Sequence, residues 1–287
     1  MVPLLSRALR CDRRMPIGDT QVRLPIVRGR QGRSSREWCG GWVTASEVAT
    51  CVNGTPLRFQ FDPVGADLVA ARECESDVFL QTYGNTVEQF AEEYGQYESA
   101  TGFMAVFNEA GVAVAAVRFI KPGPAGLKTL NDVSRAPWNV DGLRSARAAG
   151  LDPDRTWDIA TIAVRRNVGN WLCAAALYHG LISACRANGI DWIVMIMDER
   201  ARRLLMASSL VPTPLPGTGP GPYLGSAVST PLFGNLAAMF DAQRRLNPDA
   251  YRLIFLGVGL DGIAMPPPDG WRLTARESVD AWIGASP

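Results

Sequence analysis

Between the β-branched run TWDIATIAV and the apolar run WLCAAALYHGLISAC lie Arg166, Asn167, Val168, Gly169 and Asn170, with Trp171 opening the second run. A turn of this kind, from the end of a strand into the start of a helix, exposes backbone N–H groups with the helix dipole behind them, and such groups receive phosphate oxygens. Gly169 would let the backbone approach a ligand without a side chain in the way, so a pyrophosphate fits; a tight turn with no ligand would use the same glycine. Nucleophile and metal chemistry have less to draw on. His179 is the one histidine of the chain and lies inside the apolar run, where it reads as a satisfied helix residue. That argues against Ser-His-Asp and Cys-His hydrolases. The cysteines Cys11, Cys39, Cys51, Cys74, Cys173 and Cys185 are scattered without a C-x-x-C pair, which argues against a zinc site, and no metal is expected.

The elements that must position this turn follow from the periodicity. TPLRFQF alternates as a short strand, and Asp62-Pro63 marks a helix start before VGADLVAARECESDVFLQ. After a break at Tyr83-Gly84, Asn85 is placed to cap a second amphipathic helix, TVEQFAEEYGQYE. GFMAVFNEAGVAVAAVRFI reads as an antiparallel hairpin, with Gly111 supplying a positive φ in the turn. A Pro/Gly-rich excursion of weak helical character leads to TWDIATIAV, the glycine-bearing turn, an apolar helix closed at Gly189 and the buried strand IDWIVMIM, which together make a βαβ unit. Glu199 to Leu210 forms a short helix with Asp198 at its cap. PTPLPGTGPGPYLGSAVSTPLF is too rich in Pro and Gly for an internal strand and reads as edge strands and bends. The tail contributes the helix NLAAMFDAQRRL, the apolar run YRLIFLGVGL and a short terminal helix.

A chain of 287 residues with 47% hydrophobic residues buries a substantial core, and a net charge of +1 with 20% charged residues favours no partner of either sign. Residues 1–54 differ: nine arginines stand against three acids in the first forty positions without sustained periodicity, so this stretch reads as a disordered basic arm, and residues 55–287 as the folded domain with a C-terminal helical extension. The arm could touch nucleic acid or an acidic carrier, but aromatic interleaving is limited to Trp38 and Trp42, and nucleic-acid binding is not expected. No apolar stretch reaches the roughly 18–20 residues of a membrane span, and no signal-peptide core is seen, so the expected location is cytoplasmic.

The order strand, two helices, hairpin, strand, glycine turn, helix, strand, helix, edge strands resembles the α/β fold of the GCN5-related N-acyltransferase (GNAT) superfamily over roughly Thr55 to Phe233, a mixed central sheet flanked by helices. The family pattern Q/R-x-x-G-x-G/A falls on Arg166, Gly169 and Trp171, the last departing from the small residue. Within the superfamily the likeness is to the acyl-homoserine-lactone synthase and N-acyl amino acid synthase branch, carried by VF before a QTYG break, VRFIKPGP, TLNDVSRAPW and TWDIATIAV.

The resemblance implies an acyltransferase that takes an acyl group from acyl-CoA or an acyl carrier protein thioester and places it on a small-molecule amine such as an amino acid. It implies main-chain pairing of Ile162 and Val164 with the pantetheine arm and phosphate binding by residues 166–171. Asp158 matches the branch's acidic position, while Ala160 and Thr161 replace its Ser and Arg. Asp158 would serve as general base, because an amine arrives protonated and must lose a proton before attack, or it caps and salt-bridges a strand start. The family's proton-donating tyrosine falls on Leu205, so that role is missing or filled from elsewhere. Tyr223 and Ser226, with Ser229, would line an acceptor or acyl pocket, or serve only the turns and edge strands they stand in. Loss of the tyrosine and of the Ser-Arg pair leaves a second reading, a GNAT-like fold that binds a ligand without turnover. A scaffold acting through the basic arm is a third.

Overall fold

The computed structural model describes residues 56–166 and 171–273; the basic arm, Asn167 to Asn170 of the glycine turn and the terminal helix lie outside them. The chain opens with β1 (Leu57–Phe61), which buries alternate residues, and α1 (Gly65–Tyr83), which stops where Gly84 turns left-handed at φ 77°. Next comes α2 (Val87–Tyr94). Its cap is Thr86 rather than the expected Asn85: Gln89 stands three residues on, and the two side chains and backbones bond reciprocally as a capping box. The hairpin of β2 (Thr101–Phe107) and β3 (Ala113–Ile120) forms as expected, with Gly111 at φ 76° and Asn108 accepting from the Val112 N–H. Two short helices, α3 (Lys128–Asp132) and α4 (Gly142–Ala148), fill the excursion before β4 (Thr156–Val164).

The βαβ unit is β4, α5 (Trp171–Ala187) and β5 (Trp192–Asp198), with Gly189 at φ 68° after the helix. Then follow α6 (Glu199–Ala207), β6 (Thr213–Pro214), β7 (Gly221–Tyr223), β8 (Ser226–Asn235), α7 (Leu236–Leu246), α8 (Pro248–Ile254) and β9 (Ile263–Ala264). The described residues build one nine-stranded mixed sheet in the order β6-β8-β5-β4-β3-β2-β1-β9, with β7 on β8. The expectation of edge strands holds for β6 and β7 but fails for β8. β8 is internal and pairs with β5 from Trp192↔Asn235 to Asp198↔Ser229. Pro231 is tolerated inside it because its carbonyl, and hence its nitrogen, faces β6, where the carbonyl accepts from the Leu215 N–H and no donor is demanded of the proline.

α5 lies on one face of the sheet with α8 against it, and α1 covers β3 and β4 on the other. The larger core is on the α5 side: the Phe119 and Trp157 rings stack at 4.4 Å, Phe61 stacks on both, and Trp271 from the C-terminal segment packs on Phe59 and Phe61. Gly180 makes this close approach possible, since a Cβ there would stand 2.1 Å from the Phe59 ring. His179 is a core-facing helix residue as expected, its Nδ1 2.9 Å from the Ile254 carbonyl. The apolar run YRLIFLGVGL turns out to hold α8, capped by Asn247 with Pro248 in its first turn, both recognisable helix-start signals.

Candidate active site

The site originates in a defect of pairing. β4 and β5 run parallel, yet their register covers only Thr156↔Trp192, Trp157↔Ile193 and Asp158↔Val194. Past that point the β3–β4 register slips, so that Ile159 pairs with Phe119 and Thr161 with Arg118, leaving Ala160 as a bulge. A bulge bends its strand and increases the local twist, and here the two parallel strands part where it occurs. The edge of β4 turned away from β3 then has no strand partner. Arg165 donates its N–H to the Val114 carbonyl of β3, and successive residues of a strand alternate in direction, so Ile162 and Val164 turn their N–H and C=O groups into the gap. Buried backbone groups are nearly always satisfied, which makes such an edge a place for water or an extended ligand.

The gap opens into a cavity of about 330 Å³. Ile162 and Val164 line it, as do Ala174 and Tyr178 from the first turns of α5, and Met195 and Met197 from β5. Behind it, an apolar recess reaches between sheet, α5 and α7 along Leu205, Met239 and Phe240, sharing Ile162, Tyr178 and both methionines with the cavity. Exposed Arg166 and Arg200 border the cavity. Trp171 is 41% exposed at the start of α5 and does not line it. Asn167, Val168, Gly169 and Asn170, the centre of the expected phosphate turn, lie outside the described residues.

Polar groups collect on the α1 side. Tyr83, at the last turn of α1, donates to the Asp198 carboxylate, which also caps α6 by accepting from the Arg200 and Ala201 N–H groups. Burial, then the neighbouring carboxylate, push the Tyr83 hydroxyl well above its usual range. Tyr94, Thr161, Tyr223 and Ser229 form another part of the wall. Behind it, Arg118 is paired with Glu75 through bonds of 2.6–3.2 Å, and Thr161 donates to the same carboxylate. Lys128 donates to Asp132 at 2.6 Å and to Glu93 at 2.7 Å, and Tyr223 donates to Asp132 at 2.5 Å. Tyr223 and Ser226 therefore do line the cavity, and Ser226 also donates to the Val228 carbonyl.

Asp158 is placed differently from a base in contact with substrate. It is 1% exposed and does not line the cavity. One of its oxygens takes the Thr129 N–H and the other the Thr129 hydroxyl, so it caps α3 from the neighbouring strand. Burial lifts its carboxyl to about 7 against those two hydrogen bonds, which pull it down. Leu205, at the position of the family tyrosine, is a core residue at 4% exposure, and the phenol groups of the cavity come instead from Tyr83, Tyr94, Tyr178 and Tyr223. Sequence reading missed Tyr83 and Tyr94 as wall residues, with only the QTYG break hinting at the first; it singled out Thr161 by family position and Asp198 as a helix cap. Among the described residues no group of three or more His, Cys, Asp or Glu side chains could hold a metal ion, and no helix is long and apolar enough to cross a membrane.

No protein-family model and no curated protein sequence matches the chain. Solved structures do. FeeM, an N-acyl amino acid synthase from uncultured soil microbes, is similar with a TM-score of 0.50 at 15% identity, over 66% of this chain and 95% of that one. The acyl-homoserine-lactone synthase LasI gives 0.49 at 14% identity over 68% and 96%, and an acetyltransferase of the GNAT family from Staphylococcus aureus Mu50 gives 0.41 at 11% over 63% and 99%. The likeness to FeeM bears out the mixed α/β fold expected from the resemblance.

Proposed function

We propose that the protein is an N-acyltransferase that moves an acyl group from a pantetheine thioester, acyl-CoA or an acyl carrier protein, to a small-molecule amine such as an amino acid, in the cytoplasm. The observation that carries this reading is the unpaired edge of β4 facing a cavity with a small apolar recess behind it. Ile162 and Val164 would pair with the amide groups of the pantetheine arm as a strand would, fixing the thioester between β4 and β5. Arg166 and the turn after it would take the phosphates, and the apolar side of the cavity, with the small recess behind it, would take the acyl group. The amine would approach from the wall of Tyr94, Thr161, Tyr223 and Ser226, behind which three carboxylates (Glu75, Glu93, Asp132) stand against two cations (Arg118, Lys128), a balance that favours a protonated amine. Asp158 would hold α3 in place from behind the wall rather than touch substrate.

The test is thiol release from acyl-CoAs and carrier-bound acyl groups of increasing length, with pooled amino acids and amines as acceptors. Acceptor-dependent release should appear, and kcat/KM should rise about fourfold for each methylene the recess buries, at roughly 0.8 kcal/mol per CH₂. Ala174→Trp, which fills the cavity from α5, should abolish it. Thermal stabilisation by acyl-CoA without release would favour the ligand-binding alternative, to which Leu205 in place of a tyrosine already points. Neither release nor stabilisation with any donor would sink both.

A further inference from the structure

A continuous hydrogen-bonded route leads outward from the cavity wall at Tyr223. The Tyr223 hydroxyl donates to Oδ2 of Asp132 at 2.5 Å, Lys128 Nζ donates to that same oxygen at 2.6 Å, and Lys128 reaches Glu93 at 2.7 Å. Asp132 and Lys128 are buried, with side chains 8% and 3% exposed, whereas the Glu93 side chain is 32% exposed. Lys128 is held in place by two rings as well, its Nζ 5.2 Å from the Tyr94 centroid and 5.7 Å from that of Tyr223. The Trp138 ring, 5.8 Å from Tyr223, and the bond from Trp138 Nε1 to the Gly219 carbonyl fix the β7 segment over the site.

Resting on the acyltransferase reading, we infer that Tyr223 is the residue that takes the proton from the acceptor ammonium, relaying it to Asp132. In that step an N–H proton of the ammonium passes to Tyr223 Oη as the Tyr223 hydroxyl proton passes to Asp132 Oδ2, leaving a neutral amine and a protonated Asp132 beside Lys128. The amine lone pair then forms the C–N bond, the C–S bond breaks, and the second N–H proton goes to the leaving thiolate. The proton on Asp132 returns to solvent once the amide has left. Tyr223 is the catalytic residue here; Asp132 acts through it as a positioning residue and proton store. Burial, then Tyr94 and Asp132, keep the Tyr223 phenol protonated, as a relay requires. The groups facing Asp132 are Lys128 on its own helix, Glu93 and Tyr94 of α2, Tyr97 after it, Asp158 of β4 and Tyr223. Asp158 is the less suited base, because Thr129 occupies both its oxygens and the cavity does not reach it.

The experiment compares wild type, Tyr223→Phe and Asp132→Asn with a strongly basic amine acceptor and with hydroxylamine, which is neutral at pH 7. With the basic amine, kcat/KM should fall on the order of 10²-fold in Tyr223→Phe. The residual rate should climb tenfold per pH unit between pH 6 and 9, tracking the free amine, where the wild type is flatter. Transfer to hydroxylamine should fall less than threefold, and stabilisation by acyl-CoA should persist. Asp132→Asn should show the same acceptor dependence. Equal loss with both acceptors, or an unchanged pH profile in Tyr223→Phe, overturns the relay while leaving the acyltransferase reading standing; a wild type that transfers to neither acceptor overturns both.

Discussion

Asp158→Asn should make the protein more stable at neutral pH, an unusual result for a substitution at a fully buried, fully bonded position. In the folded chain burial raises the Asp158 carboxyl from 3.8 to about 7. A carboxyl whose folded value lies above its unfolded one binds its proton more tightly in the folded state. Its contribution is therefore complete below about pH 4 and is lost as the pH rises through about 7. The shift corresponds to about 4 kcal/mol, at 1.36 kcal/mol per pH unit. Asparagine carries no charge to desolvate and keeps both contacts: its carbonyl can accept from the Thr129 N–H while its amide donates to the Thr129 hydroxyl, whose rotor reverses. Urea unfolding of both proteins from pH 4 to 8 should show a gap in favour of the variant that opens with pH by about 4 kcal/mol, on the order of 10 °C in Tm at pH 8. Other titrating groups are common to both proteins and cancel in the difference. A pH-independent gap, or a variant less stable at pH 8, would show that the carboxylate is ionised and compensated in the folded state.

Two other substitutions probe the scaffold of the site. Glu75→Gln leaves the Arg118 guanidinium, with a side chain only 6% exposed, without its counter-charge; chemical denaturation should register a loss of about 3–5 kcal/mol. Gly225→Val sets a Cβ 2.4 Å from the Tyr83 carbonyl at φ 82°, so it should lift the β7–β8 turn from α1, costing on the order of 2 kcal/mol in thermal unfolding and weakening acyl-CoA binding.

What the sequence disclosed was local. The β2–β3 hairpin was visible because its turn chemistry sits in four consecutive residues, Asn108 to Gly111, and α5 because seventeen residues repeat one apolar pattern. Where neighbours in sequence competed, the wrong one could be preferred: Asn85 and Thr86 are both good caps, and only the reciprocal bond to Gln89 decides between them. Pro231 misled because a proline's cost depends on which neighbour its nitrogen faces, a property of the sheet and not of the residue. The site was partly legible. Ile162 and Val164 were singled out by family likeness and line the cavity, but the polar groups of the wall are joined over long separations: Tyr83 to Asp198 spans 115 residues and Tyr223 to Asp132 spans 91. No periodicity or motif reports such pairs. Asp158 matched a family position, yet its partner Thr129 lies 29 residues upstream, and that contact turns it from a cavity wall into a buried cap.

The parallel pairing of Leu57↔Ile263 and Arg58↔Ala264 has a consequence for biosynthesis. β1 is among the first described segments to leave the ribosome, and the strand that pairs with the start of its outer side comes roughly 200 residues later, which at about 5–20 residues per second is on the order of 10–40 s. Throughout that interval the nascent chain carries an uncapped row of N–H and C=O groups beside the apolar Phe59 and Phe61, a template for pairing with another chain. The short tail segment around β9 and Trp271 thus arrives late to an edge that it pairs at Leu57 and Arg58 and packs at Phe59 and Phe61.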